Sequence, residues 1–199
     1  MSEAQSPRAK ALPLVVGIGG TTREVSSTDR ALRLALRAAE EAGARTEVFG
    51  GPALARLPHY SPEKQERSDE QRHLVEMVRQ ADGLIVASPG YHGGVSGLVK
   101  NALDLLEDLR EDERHYLDGR AVGCIVTAAG WQASVTTLEA LRAIVHALRG
   151  WPTPFGATLN TAQPIFDTAG VCTDQKALDA LRVVGRQVVE FARVHGRSV

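Results

Sequence analysis

Cysteine is scarce in this chain: 199 residues carry only Cys124 and Cys172. Two cysteines make no disulfide framework, and Cys124 lies in the apolar run 121–127, where it reads as a small buried hydrophobe. A reducing cytoplasm is the expected location. An excess of charge is missing as well. A net charge of −1 at pH 7 gives no field to draw the chain onto nucleic acid or an anionic membrane. No apolar run is long enough to span a bilayer. Residues 1–12 are rich in Ser, Ala, Lys and Arg but lack an apolar stretch followed by a cleavage site. They are expected to be a disordered N-terminal extension rather than a secretory signal. There is no internal repeat and no low-complexity block. The six histidines show no metal-ligand spacing, so no metal site is expected. No nucleophile elbow occurs either.

What is present is an ordinary globular composition, 43% hydrophobic and 24% charged, in a length that allows one domain with a real core over residues 13–199. Pro13-Leu14-Val15-Val16-Gly17-Ile18 reads as a buried strand. A loop over 19–28 leads into a helix with Leu32, Ala35, Leu36 and Ala39 on one side, stopped by Gly43. Residues 46–49 read as a second strand. Residues 50–68 form a long polar connection with Pro52, Pro58 and Pro62, of a length that marks functional or mobile loops. A helix over 69–80 turns Leu74, Met77 and Val78 inward. The third strand, 83–87, opens into Ser88-Pro89-Gly90-Tyr91-His92-Gly93-Gly94, and a helix follows from Ser96, its cap. After a charged connection at 110–119 come a fourth strand over 121–127 and a loop over 128–133. Then follows a strongly amphipathic helix with Leu138, Leu141, Val145 and Leu148 at one face. A fifth strand is expected over 153–159 despite Pro154. After a loop at 160–173, a last helix over 174–195 places Leu178, Leu181, Val184, Val188 and Phe191 inward.

Five strands alternating with five helices predict a doubly wound α/β domain with a five-stranded parallel sheet. The expected order, 2-1-3-4-5, opens a crevice between the ends of strands one and three. Both glycine-rich mouths then fall at that crevice. The first mouth offers Thr21, Thr22, Arg23, Ser26, Ser27 and Thr28 beside a helix N-terminus, where hydroxyls, amides and the helix dipole favour a phosphate. It is not a Walker A loop, since no Gly-Lys-Ser/Thr follows. It is a poor dinucleotide fingerprint too: Thr22 stands where the third glycine belongs, and strand two ends in Gly50-Gly51 with no acid for a ribose. A phosphate monoester held by hydroxyls fits better than a pyrophosphate; the alternative is that the hydroxyls only cap the helix. The second mouth can bring backbone N–H groups close to a flat ligand.

These two stretches carry a resemblance. Gly20-Thr21-x-Arg23-x-x-Ser26, together with Ser88-Pro89-x-Tyr91-His92-Gly93-x-x-Ser96-Gly97-x-x-Lys100-Asn101-Ala102-x-Asp104, resembles the NADPH-dependent FMN reductase family of flavodoxin-like proteins, over about residues 14–191. The resemblance implies a flavodoxin-like fold, FMN as cofactor, NADPH or NADH as reductant, and homodimers or homotetramers. It implies that Thr21, Arg23, Ser26 and Thr28 hold the FMN phosphate. Pro89, Gly90, Tyr91, His92 and Gly93 would lie along the flavin ring, and Gly130 and Trp131 would approach its other edge. Two positions depart from the family: Thr21 replaces a serine, and Ala128-Ala129-Gly130-Trp131 replaces a more glycine-rich stretch.

The expected activity is an NAD(P)H-dependent FMN oxidoreductase that passes hydride to FMN and on to a partner enzyme, quinone or other acceptor. No acid–base side chain is expected to be essential. The alternative is a flavodoxin-like electron carrier or a flavin-binding protein without turnover; a carrier docks through a strongly acidic surface, which a net charge of −1 does not supply. Leu98, Val99, Ala102, Leu103, Leu105, Leu106 and Leu109 wrap more than one helical face. They point to a homodimer at least; the resemblance implies that the partner's loop borders the flavin, which would bring His59 or Tyr60 there, the alternative being that these two form an exposed turn. The alternative is that these leucines pack under residues 110–119 of the same chain. Asn101 is expected to pin the second mouth, and Lys100 to be solvated.

Overall fold

The computed structural model describes residues 11–23 and 25–195, so the expected extension over 1–12 lies outside the described residues except for its last two. The strands are β1 (Leu14–Gly19), β2 (Arg45–Phe49), β3 (Gly83–Tyr91), β4 (Gly94–Val95), β5 (Ala121–Ala128), β6 (Trp151–Pro152) and β7 (Ala157–Asn160). The helices are α1 (Ser27–Glu41), α2 (Gly51–Ala55), α3 (Asp69–Gln80), α4 (Gly97–Asp104), α5 (Trp131–Ala147) and α6 (Gln175–His195). The sheet runs β2-β1-β3-β5-β6, with β7 also on β5, and every pairing along that path is parallel. This is the flavodoxin-like order 2-1-3-4-5, with its fifth position filled by two short strands.

Strand alternation divides the core. Val16, Ile18, Leu84, Val86, Val122, Cys124 and Val126 point to the layer of α3, α4 and α5. Val15, Ile85, Ala87 and Ile125 point to α1 and α6. Residues two apart share a face, so near-continuous apolar strands are buried on both sides. On the second face α1 and α6 cross closely. A methyl group built on Gly185 would come within 2.2 Å of the Ala35 carbonyl oxygen, so only glycine lets the two backbones meet there.

The expected fifth strand over 153–159 is corrected. Two residues of β5, Gly123 and Cys124, face four on the edge, 153–156, between the pairings Val122↔Pro152 and Ile125↔Ala157. Pro154 has no amide to give a ladder, and the chain bulges around it. Side chains satisfy the bulge. Arg142 donates to the Thr153 carbonyl at 3.0 Å, and the Phe155 amide donates to Gln187 Oε1 at 3.1 Å.

The leucines after α4 are also settled by packing. The chain tightens into a 3₁₀ turn at Leu105–Leu109, which rotates Leu105, Leu106 and Leu109 into the core beside Leu117. They are consumed within one chain, under residues 110–119, and leave no second apolar face on α4.

Candidate functional site

The crevice forms where chain direction diverges: β1 leads out to β2 on one side, while β3 leads to β5 on the other. A cleft of about 150 Å³ opens there, lined by Gly20, Thr21, Thr22, Pro89, Tyr91, Ser96, Gly97 and Leu98. A second cavity, about 450 Å³, lies at the opposite end of the strands between Arg79, Asp112, Glu113, Arg114 and Arg120. It is larger but sits away from the carboxyl ends of the strands, where open α/β sheets bind ligands. Its floor is structural: the buried Arg120 donates to the carbonyls of Arg79, Ala81 and Tyr116 at 2.8–2.9 Å.

The first wall is the loop between β1 and α1. Thr21 Oγ1 accepts from the Arg23 amide at 3.2 Å. Ser26 is the N-cap, in extended conformation, and its Oγ accepts from the Asp29 amide at 3.2 Å. Both hydroxyls therefore keep a proton to donate, beside a helix N-terminus whose first amides have no intrahelical partner. Arg23 is exposed at the loop tip. Thr28 differs. It is buried, and its hydroxyl lies 2.6 Å from that of Thr127 at the end of β5. That contact gives it a place beneath the loop rather than on the cleft lining. Asp29 bonds Arg33 at 2.7 Å through Oδ2. Its Oδ1 is the one buried side-chain oxygen without a partner among the described residues, and it is packed behind Gly20 and Gly50.

The second wall is not the open loop that the glycines implied. β3 continues through Pro89 and Gly90 to Tyr91, and β4 folds back on it antiparallel with Tyr91 opposite Gly94. His92 and Gly93 form the two-residue tip, at φ 52° and 82°, the primed turn that matches strand twist. Ser88 fixes this hairpin from inside. Its hydroxyl donates to the Pro89 carbonyl at 2.8 Å and accepts from the Ser96 amide at 2.9 Å. Ser96 then caps α4 through the Val99 amide at 3.2 Å.

Of the expected ring contacts, Pro89 and Tyr91 line the cleft, while Gly90, His92 and Gly93 do not. Gly90 packs toward Thr137 and Ala133 of α5. Gly130 and Trp131 lie beyond the lining, at the start of α5, with Trp131 62% exposed. Ser96, Gly97 and Leu98 also line the cleft, beyond the residues expected there from the sequence. The cap signal at Ser96 was visible in sequence, and a helix starting there must present its first turn to the crevice.

The long connection is ordered too. Asn101 does not pin the second mouth. It reaches the other way: the Tyr60 amide donates to Asn101 Oδ1 at 2.8 Å, and Asn101 Nδ2 donates to the Pro58 carbonyl at 3.1 Å. Lys100 is exposed and pairs with Asp104 at 2.6 Å.

A helix terminus with spare hydroxyl donors, joined to a narrow slot walled by proline, tyrosine and glycine, suits a flat ligand carrying one phosphate. Known proteins agree with that chemistry. The chain is 27% identical over 193 residues to the iron-sulfur flavoprotein of Archaeoglobus fulgidus, covering 89% of this chain and 96% of that one. It is 36% identical over 94 residues to the FMN-dependent NADPH-azoreductase of Staphylococcus aureus strain USA300, a match spanning 47% of this chain and 46% of the azoreductase. Among solved structures, the flavoenzyme NAD(P)H:(acceptor) oxidoreductase FerB from Paracoccus denitrificans superposes with a TM-score of 0.68 at 18% identity, over 94% of this chain and all of FerB, which speaks for the fold. Residues 13–163 match the NADPH-dependent FMN reductase family, and with three quarters of its length inside that match this chain belongs to it.

Proposed function

We propose that the protein is an NAD(P)H-dependent FMN oxidoreductase that takes hydride from a nicotinamide nucleotide onto FMN and delivers the electrons to a partner enzyme, quinone or other small acceptor. The observation that carries this reading is the cleft that joins Gly20, Thr21 and Thr22 of the first loop to Pro89, Tyr91 and the start of α4. When bound, FMN supplies the hydride acceptance and onward electron transfer for which side chains have no equivalent.

The chain's own residues bind and orient. Thr21 and Ser26 would hold the phosphate by hydrogen bonds from their hydroxyls, with Arg23 adding a charge-assisted bond from the loop tip. Thr28 anchors the first turn of α1 to the end of β5 through Thr127. Pro89 and Tyr91 flank the ring, and the hairpin holds them rigid through Ser88. His92 and Gly93 at the hairpin tip, with Gly130 and Trp131 at the start of α5, form the outer rim where a nicotinamide or acceptor enters. No side chain is assigned as general acid or base.

The iron–sulfur chemistry in the name of the Archaeoglobus relative does not carry over. A Cys₄ cluster needs four thiolates, and this sequence has two cysteines in all, one of them buried in β5. Both cysteines are free thiols, which supports a reducing cytoplasm. No helix among the described residues is long and apolar enough to cross a membrane. We further propose a homodimer or homotetramer, supported by the exposed Tyr91 on the cleft wall and the exposed Trp131 and Val135 on α5.

The test is a titration of FMN fluorescence followed by stopped-flow mixing with NADPH and NADH. Quenching with one FMN per chain, then rapid loss of the visible flavin absorbance, is expected. Binding without bleaching would instead identify an electron carrier or flavin-binding protein, and no quenching would overturn the site.

A further inference from the structure

The connection between β2 and α3, residues 50–68, touches both walls of the cleft. At its start, Gly51 lies so close to the first wall that a methyl group on it would come within 1.8 Å of the Thr21 carbonyl oxygen. Leu54 and Leu57 then sink into the core, and α2 packs on α4. In the middle, the backbone of Pro58 and Tyr60 is bolted to the Asn101 side chain by two hydrogen bonds. Gln71 of α3 adds a third bond to the same Pro58 carbonyl at 3.0 Å. Near the end, Arg67 grips Asp108 with two bonds of 2.8 Å and lies 5.0 Å over the Tyr60 ring.

Asn101 sits one helical turn after Gly97, on the same face of α4, and Gly97 and Leu98 line the cleft. One segment is therefore packed at its start against the phosphate-side loop and clamped at its middle to the helix that forms the opposite wall. Nineteen residues without such anchors would be mobile.

We infer that Asn101 is a positioning residue for the cleft: through Pro58 and Tyr60 it turns residues 50–68 into a strap that sets the spacing between the Thr21 loop and the start of α4. Asn101 itself is absent from the lining, so it acts only through the strap. The chemistry is side chain to backbone. An amide is the group that both accepts from Tyr60 N–H and donates to Pro58 C=O; a carboxylate does only the first. The inference rests on the flavin reading for its functional consequence but not for the coupling itself.

The experiment separates these. Amide hydrogen exchange is followed in FMN-free wild type, Asn101→Ala and Asn101→Asp. Faster exchange is expected in Asn101→Ala at residues 57–61 and also at 20–23, with β5 and α6 unchanged; Asn101→Asp falls between. In FMN titrations Asn101→Ala weakens binding by about tenfold, the scale of two lost hydrogen bonds. In turnover at saturating FMN, KM for the nicotinamide rises while kcat stays within about twofold. Loosening confined to 57–61, or wild-type FMN affinity despite a loosened strap, overturns the inference. Wild-type protein that binds no FMN removes the flavin reading, and exchange at 20–23 then decides the coupling alone. Should Asn101→Ala fail to fold, Asp108→Asn, which weakens the second anchor, is held to the same two readouts.

Discussion

Thr28 of α1 and Thr127 of β5, 99 residues apart in sequence, place their hydroxyl oxygens 2.6 Å from each other in a buried position. One hydroxyl donates and the other accepts, so neither is orphaned. The pair ties the first turn of the helix that faces the cleft to the carboxyl end of β5. Thr28→Val leaves the Thr127 hydroxyl buried and unpaired, and an unfolding free energy lower by about 1–3 kcal/mol is expected. Thr28→Val with Thr127→Val removes both partners and returns most of that loss. Urea denaturation of the three proteins, read as shifts of the midpoint at constant slope, checks it.

Ser26 and Arg23 separate the two roles of the first wall. Ser26→Ala removes an N-cap, which costs about 1 kcal/mol of stability, and it also weakens FMN binding through the lost hydroxyl donor. Arg23 is exposed at the tip, so Arg23→Ala leaves stability unchanged while weakening FMN by about 1.5–3 kcal/mol. Thermal melts alongside fluorescence titrations test the contrast. Equal effects on melting from both variants would refute it.

Gly185 is the contact point of α1 and α6. In solvent, a helical glycine replaced by alanine would gain stability from propensity. Here the added methyl group meets the Ala35 carbonyl at 2.2 Å and Ala38 at 3.0 Å. Steric cost wins, and Gly185→Ala is expected to destabilise by about 1–3 kcal/mol. Thermal or urea unfolding will show the sign directly.

Cys124 is buried in β5, and desolvation pushes its thiol up to about 12 from 9.0. The folded state therefore holds its proton at pH values where the unfolded chain has lost it. Its contribution is fully present below pH 9 and is lost as pH rises from about 9 toward 12, by up to about 1.4 kcal/mol per pH unit. Comparing wild type with Cys124→Ala across that window isolates this share. In native protein at pH 8, a thiol reagent should modify the half-buried Cys172 and leave Cys124 intact until unfolding.

Assembly is open to a direct measurement. Leu105, Leu106 and Leu109 no longer argue for a dimer, because the 3₁₀ turn buries them within the chain. The aromatic residues on the cleft wall and at the start of α5 still do: Tyr91 is 50% exposed and Trp131 62%. Light scattering at micromolar concentration is expected to give a dimer or tetramer mass, and Trp131→Ala with Tyr91→Ala should shift it toward monomer. A monomer carrying a full complement of FMN would rule the assembly out.

Much was legible in the residues themselves. Apolar runs and their spacing placed strands at Leu14, Gly83 and Ala121 and the helix over 69–80, because burial on two sheet faces leaves near-continuous hydrophobic strands and amphipathic helices. Crossover handedness then limited the order of those strands, and the cleft followed from that order. The hydroxyls of Thr21 and Ser26 and the cap at Ser96 were visible because capping is local chemistry. Other features depend on partners distant in sequence. Whether Pro154 interrupts a strand is decided by what Val122 and Ile125 of β5 can pair with. Which way Leu105 and Leu106 face depends on a 3₁₀ turn that packing against Leu117 stabilises. That Thr28 meets Thr127 is invisible in its local sequence, and Asn101 reads as a support for the nearest loop until Pro58 and Tyr60 arrive from 41 to 43 residues away. Local propensity and periodicity specify elements and their caps; a polar side chain bonds to whatever partner the folded chain brings within about 3 Å, and that is set only when the tertiary structure closes.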